Sequence, residues 1–373
     1  MTQPVRFQAL DVFRGLTICL MIIVNTPGSW ETSYAPLLHA DWHGFTPTDL
    51  VFPSFLFAVG NAMSFVMKKW ETLPDSTVVL KILKRTALIF LIGYLMYWFP
   101  FFTQTKEGNW MLSPISQTRI FGVLQRIALC YGAAALMIHF LKPRTVLWIV
   151  MGILVLYGPV LYWFGDMPDP LSLETNAARK LDLWLVGPDH LYKGEGIPFD
   201  PEGLLSTLPA IGNVLGGFLV GRFVQVKGKT FEMLSKLMLW GSLLVGLAFL
   251  WHYGLPVNKK LWTSSFVILT VGIDCLAIAG IIYIMDFQHK TKWAGFFEVF
   301  GRNPLFIYLL SELLAITLYL IPAGNISLRE LIFNKFFLPL GPYFGSFLYA
   351  LIFMLVCWAV GWWMDRKKIY MRI

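Results

Sequence analysis

Two histidines four residues apart, His39 and His43, stand in the run LLHADWHGFTPTDLVFPSFLFAVG at 37–60. An imidazole can take a proton from a nucleophile near neutral pH, or accept an acyl group itself, once a carboxylate or amide fixes its tautomer. Asp41, Asp49 and Asn25 are the candidate orienting partners. On a helix the two rings would share a face and could share a metal, but no third and fourth ligand follows at a recognisable spacing. Gly44 and Pro47 also interrupt the segment, so no metal is expected. Thr46-Pro47-Thr48-Asp49 reads as a helix start, with Thr46 as cap, Pro47 in the first turn and Asp49 in the third helical position. Asp49 therefore has a structural use beside its chemical one.

Other polar residues sit inside apolar runs, where they are costly and tend to face the protein interior or a cavity. Asp11 and Arg14 lie one helical turn apart in the first run and Asn25 ends it. An i,i+3 ion pair accounts for the first two, and a C-terminal cap for the third, as well as chemistry does. Gln125 and Arg126 occur in RIFGVLQRIALCY, and a buried arginine needs a carboxylate, carbonyl groups or a phosphate-bearing ligand. Asp274, Glu298, Arg302 and Asn303 are possible partners for such groups. Trp184, Asp189 and His190 have the aromatic and polar character that suits a sugar, and equally that of an interfacial loop. The chain carries no G-x-S-x-G elbow and no phosphate-binding G-x-x-x-x-G-K-[ST] loop. Gly212, Gly216, Gly217 and Gly221 suit close helix packing, which also leaves a homodimer open.

The elements that must position these groups are set by composition. Of 373 residues 57% are hydrophobic and 14% charged, against about 45–50% and about 25% in soluble domains. A soluble globular protein is excluded in favour of an all-α polytopic membrane protein forming a single domain over 1–373. Ten apolar runs are long enough to span, near 10–27, 48–67, 83–101, 120–140, 144–164, 206–224, 235–252, 263–285, 302–321 and 343–364. Alternate connections hold twenty and nine Lys and Arg residues, which predicts that both termini are cytoplasmic. This clustering also explains the net charge of +8 without a nucleic-acid partner. The four cysteines all fall in apolar runs and read as small buried hydrophobes. The connection at about 165–205 exceeds what a helix hairpin needs, and predicts a structured cap on the outer side.

The runs LDVFRGLTICLMIIVNTPGSW and LLHADWHGFTPTDLVFPSFLFAVGNAM resemble the start of the heparan-alpha-glucosaminide N-acetyltransferase family and its bacterial NagX-like transmembrane relatives. GVLQRIALCY at 122–131, FDPEGLLSTLPAIGNVLGGFLVG at 199–221, LWTSSFVILTVG at 261–272 and GRNPLFIYLLSE at 301–312 extend the resemblance over nearly the whole chain. The chain as given lacks the long luminal region and extra leading span of the lysosomal enzyme, so a multi-pass protein of the bacterial inner membrane is expected.

The resemblance implies an enzyme that moves acetyl from cytoplasmic acetyl-CoA to the amine of a glucosamine-type sugar across the membrane, without a metal. The family's active histidine lies in H-A-x-W-x-G, which matches His39, and its first-helix asparagine matches Asn25. His39 would deprotonate the amine or carry the acetyl, while Asn25 would orient the ring or bind the developing oxyanion. Asp11, Arg14, Gln125 and Arg126 are expected around the pantetheine channel, with Arg14, Gln125 and Arg126 as CoA contacts. Asp11, Asp49, Trp184 and His190 are expected toward the acceptor. The expected partners are the amino sugar, CoA and membrane lipid. An amino-sugar permease, with His39 as a proton site, is the alternative.

Overall fold

The computed structural model describes residues 8–104 and 109–371. Arg6, Lys106 and Arg372, which enter the charge comparison above, lie outside the described residues. The chain folds into thirteen α-helices among those residues: α1 (Gln8–Asn25), α2 (Val51–Trp70), α3 (Asp75–Trp98), α4 (Val123–Phe140), α5 (Pro143–Phe164), α6 (Ala177–Val186), α7 (Leu204–Lys227), α8 (Phe231–His252), α9 (Ser264–Ile282), α10 (Ala294–Arg302), α11 (Pro304–Leu320), α12 (Leu328–Ile332) and α13 (Pro342–Arg366). Two short antiparallel hairpins decorate the loops, β1 (Phe102–Gln104) with β2 (Trp110–Leu112), and β3 (Pro322–Ala323) with β4 (Ile326–Ser327).

Among the described residues eight helices are long and apolar enough to cross a membrane, and a ninth crossing results if the bent pair α10–α11 is one span. The protein is thus a multi-pass, membrane-embedded α-helical bundle. The bend of 83° falls at Asn303, where Pro304 has no N–H to continue the preceding helix. Asn303 then binds the C-terminal tail, donating to Ile369 O at 2.9 Å and accepting from Met371 N at 3.0 Å. The run expected at 83–101 is α3, 24 residues long, but Lys81, Lys84 and Arg85 place three cations in its first half.

α7 is buried at the centre and packs against α2 through glycine. A Cβ on Gly217 would stand 2.0 Å from Phe57 O, and one on Gly60 would stand 1.8 Å from Val214 O. Gly212 and Gly216 face Val267 and Val271 of α9. The glycine face that left a homodimer open is therefore occupied by the chain's own helices. α5 and α8 turn Trp148, Leu156, Leu243 and Leu250 outward, as lipid-facing helices do. All four cysteines are buried and unpaired.

The segment between α5 and α7 is a small folded cap. Asn176 caps α6 by accepting the Arg179 N–H at 2.8 Å, and Leu161, Leu171, Ala177, Phe199 and Leu261 form a separate apolar cluster beneath it. Trp42 Nε1 donates to Leu171 O at 2.9 Å, which ties the cap to the histidine loop.

Candidate active site

The loop after α1 reaches α2 through a 3₁₀ turn at Pro47–Leu50. Asp49 is fully buried there and divides its carboxylate. Oδ2 accepts the backbone N–H of Thr46 at 2.9 Å and of Ala40 at 3.2 Å, which is the helix-start role. Oδ1 meets His39 Nδ1 at 2.7 Å. A carboxylate at Nδ1 favours the tautomer that carries its proton there, leaving the Nε2 lone pair available. The His39 side chain is 40% exposed against 1% for Asp49, so the ring reaches an opening that its orienting group does not.

A second loop closes on the first. Gly44 N–H donates to Val257 O at 2.8 Å, and the φ of +118° at Gly44 requires a glycine at that joint. This brings Lys259 Nζ to 3.0 Å from His39 Nδ1, 3.1 Å from Nε2 and 3.8 Å from Asp49 Oδ1. Burial and the neighbouring Lys259 charge lower the His39 pKa, against the opposite pulls of Asp49 and Glu202. The lowered pKa favours the neutral ring, the form that can accept a proton. Burial likewise brings Lys259 down to about 8, opposed by Asp49 and Glu202 and assisted by Lys260 and Arg126. His43 is bound apart from His39, with Nδ1 3.3 Å from Asn258 Nδ2.

Asn25 ends α1 and gives its amide to Glu312 Oε1 of α11 at 3.3 Å. Asp49, and not Asn25, is thus the group bonded to the His39 ring. Beside them Arg119 forks onto Asp200 at 2.7 and 2.8 Å and reaches Glu202 at 2.6 Å, held between the rings of Tyr97 and Tyr192. Burial lowers the Arg119 pKa, but Tyr97, Asp200 and Glu202 together raise it above its ordinary value.

A cavity of about 430 Å³ runs along α1, α2, α3, α4 and α11. Arg14, Arg85 and Arg302 line one end, and Phe55, Val123 and Leu124 line the other. Along α2 it extends from Met67 to Phe55, a length of about 18 Å at 1.5 Å per residue. Tyr308 also lines it, one turn before the Glu312 that holds Asn25. Arg14 donates to Gly301 O at 2.9 Å and pairs with Asp11 at 2.9 Å, so the i,i+3 pair forms at this mouth. Among the described residues Arg85 Nε and Arg302 Nε have no hydrogen-bond partner.

Gln125, Arg126, Trp184 and His190 do not line this cavity. On α4 the cavity takes Val123, Leu124, Ile127 and Tyr131, one helical face, and Gln125 and Arg126 point to other faces. Gln125 is fully buried, and its amide has no partner among the described residues. Arg126 stacks over Trp262 with 4.7 Å to the ring centre and donates to Gly203 O at 3.2 Å and to Ser206 Oγ. Trp184 is 80% exposed on the cap, and His190 Nδ1 lies 2.8 Å from Thr118 O. Lys259, Arg119, Glu202, Glu312 and Arg85 are the site residues not singled out from sequence. Glu202 and Glu312 stand inside the runs that carried the family resemblance, and Lys259 two residues before one of them.

The catalytic-domain family described as "Heparan-alpha-glucosaminide N-acetyltransferase, catalytic" matches residues 6–253. The chain is 29% identical over 365 aligned residues to heparan-alpha-glucosaminide N-acetyltransferase of Homo sapiens, covering 82% of this chain and 52% of the human protein. It is 28% identical to the Mus musculus protein of that name, covering 83% and 54%. The chain spans about half the length of these curated relatives. Asn25, His39, Asp49 and Glu202 all fall inside the matched region, and the chain belongs to the heparan-alpha-glucosaminide N-acetyltransferase catalytic family.

Proposed function

We propose that the protein is a transmembrane N-acetyltransferase that takes acetyl from cytoplasmic acetyl-CoA and transfers it to the amine of a glucosamine-type sugar on the outer side of the membrane. The observation that carries this reading is His39 held by Asp49 at one end of the bundle, with an arginine-lined cavity reaching toward it from the other. Arg14, Arg85 and Arg302 suit the phosphates of CoA, and the apolar walls beyond them suit its pantetheine arm. CoA supplies an activated acetyl thioester. The far end of the cavity, at Phe55, lies six residues from Asp49 across the start of α2 and the 3₁₀ turn before it, about 9 Å at a helical rise.

In this reading His39 Nε2 takes the proton of the attacking amine or receives the acetyl first, and Asp49 stabilises the imidazolium or acyl-imidazolium that results. Asn25, steadied by Glu312, donates its second amide N–H to the acetyl or the acceptor. Glu202, Arg119 and the aromatic rings beside them form the acceptor's side of the site. The topology follows the charge count. Both termini are cytoplasmic, α3 is a tenth crossing whose three cations snorkel to the inner face, and the 165–205 cap lies outside. The bacterial inner membrane is the proposed location.

Purified protein given isotope-labelled acetyl-CoA and glucosamine tests this. Labelled N-acetyl sugar from wild type and none from a folded His39→Ala protein is the expected result. Sugar flux in proteoliposomes without CoA consumption would instead establish a permease.

A further inference from the structure

Lys259 lies in the connection between α8 and α9, 220 positions along the chain from His39. The fold holds that connection rigidly. Asn258 Oδ1 accepts the Leu261 N–H at 2.7 Å, and Asn258 N–H donates to Thr263 Oγ1 at 3.0 Å, all within the buried interior. The Gly44 to Val257 bond fastens the connection to the histidine loop, and the Lys259 side chain is left only 17% exposed.

The near-equal separation of Nζ from the two ring nitrogens fixes where the ammonium stands. In the ring plane at those distances it would collide with the carbon between the nitrogens, so it sits over the ring face and off the axis of either lone pair. The Nε2 lone pair stays open to substrate while a cation overhangs the atoms that would bond to it.

We propose that Lys259 is a catalytic residue that receives the negative charge developing on the acetyl oxygen, an assignment that rests on the transferase reading above. The amine nitrogen bonds to the acetyl carbon and the carbonyl π pair moves onto oxygen. Re-formation of the carbonyl breaks the carbon–sulfur bond, and the thiolate leaves with that pair. The amine proton passes to His39 Nε2 and from there to the thiolate. If Nε2 attacks first, the same oxygen carries the same charge. A bond formed along the Nε2 lone pair leaves that oxygen on one face of the ring, within reach of an ammonium placed over it. The same cation disfavours a protonated ring and so keeps His39 ready to accept a proton. The charged groups acting on the pair are Asp49, Glu202, Lys260 and Arg126.

Diethyl pyrocarbonate acylates neutral imidazole through the same kind of oxyanion, and its addition to His39 can be followed by mass spectrometry without any sugar or CoA. The full chain in lipid nanodiscs is compared as wild type, Lys259→Gln and Lys259→Arg across about pH 5 to 9. In Lys259→Gln the limiting acylation rate at His39 is expected to fall by about 100-fold and its midpoint to move to higher pH, with Arg restoring most of both. In the transferase assay Lys259→Gln is expected to lower kcat by a similar factor with little change in KM. Lys259→Met, which keeps the aliphatic stem against the ring, serves if the Gln protein is not monodisperse. A limiting rate and midpoint equal to wild type in an uncharged variant overturn the assignment. Absence of sugar acetylation by wild type defeats the transferase reading alone, since reactivity at His39 still reports on Lys259.

Discussion

The two oxygens of Asp49 answer to two different structures. One meets His39 Nδ1 at 2.7 Å, and the other accepts the Thr46 N–H at 2.9 Å and so starts the helix that carries Asp49 itself. Asp49→Asn separates these uses. The amide can still accept the Thr46 N–H through its oxygen, but it then turns an NH₂ toward His39 and favours the tautomer protonated at Nε2. The expected result is a loss of about 100-fold or more in kcat with the thermal midpoint nearly unchanged. Asp49→Ala removes both contacts and adds a stability loss of about 1 kcal/mol. Steady-state kinetics with thermal unfolding on the two variants reads the difference, and equal unfolding in both would show that the cap contributes nothing.

Much of the frame was legible in the sequence because apolar length is a local property. The expected runs at 10–27, 120–140, 144–164, 206–224 and 235–252 coincide closely with α1, α4, α5, α7 and α8. Hydropathy passes through Asn303 without noticing it, so the 83° break there was not anticipated although Pro304 marks it. His39 was reached through the family motif, and Asp49 through its spacing in a helix start. Lys259 could not be reached that way, because its role depends on a contact across 220 residues that only the folded loops create. Gln125 and Arg126 were expected on the channel because they are polar within an apolar run. Helical phase sends them instead to neighbouring faces, a distinction of about 100° per residue that composition does not register.

The pH dependence follows from two opposed protonation requirements. His39 must be neutral to accept a proton, and its lowered pKa moves the acid limb of kcat/KM below the usual histidine value of 6.5. Lys259 must be charged, so activity falls as pH rises through about 8. The expected profile of kcat/KM is a bell with its plateau between those limbs, governed by the pair as a whole. In Lys259→Gln the alkaline limb assigned to Lys259 disappears, and the acid limb shifts upward because a cation has left the ring. Titration of the sugar amine is common to both proteins and cancels in the ratio of their profiles. A ratio independent of pH would remove Lys259 from the chemistry.

Arg85 tests the cavity as the CoA path. Its guanidinium stacks on Tyr131 at 4.7 Å and lines the mouth with one nitrogen unpartnered, so Arg85→Ala removes a cation without stripping a carboxylate of its partner. A charge-assisted bond to phosphate contributes about 1.5–3 kcal/mol, which predicts a rise of about tenfold or more in the KM for acetyl-CoA. The KM for the sugar and kcat should stay near wild type, since the contact exists in ground and transition states alike. Arg302 is a poorer probe because it also pairs with Glu298 and Asp365. Initial rates with each substrate varied in turn distinguish the cases. A rise in sugar KM alone would place the acceptor, and not CoA, at the arginine mouth.

The packing of α2 against α7 sets the depth at which Asp49 presents itself, and Gly60 is where that packing can be tested. A Cβ there would lie 1.8 Å from Val214 O, a backbone atom of α7 that cannot swing aside. Gly60→Ala must therefore push two central helices apart, at a cost of about 1–3 kcal/mol. Gly152 on α5 supplies the control, because a Cβ at that position meets nothing within 4 Å. The Gly60 variant should unfold at lower temperature and lose kcat, since displacement of α2 carries Asp49 away from His39. The Gly152→Ala protein should match wild type in both. Detergent-solubilised thermal unfolding followed by transfer kinetics at a temperature where both variants remain folded separates loss of stability from loss of alignment. Full activity in a folded Gly60→Ala protein would mean that the His39 loop follows α2 when it moves, and that the Asp49 contact, more than the helix packing, holds the site in register.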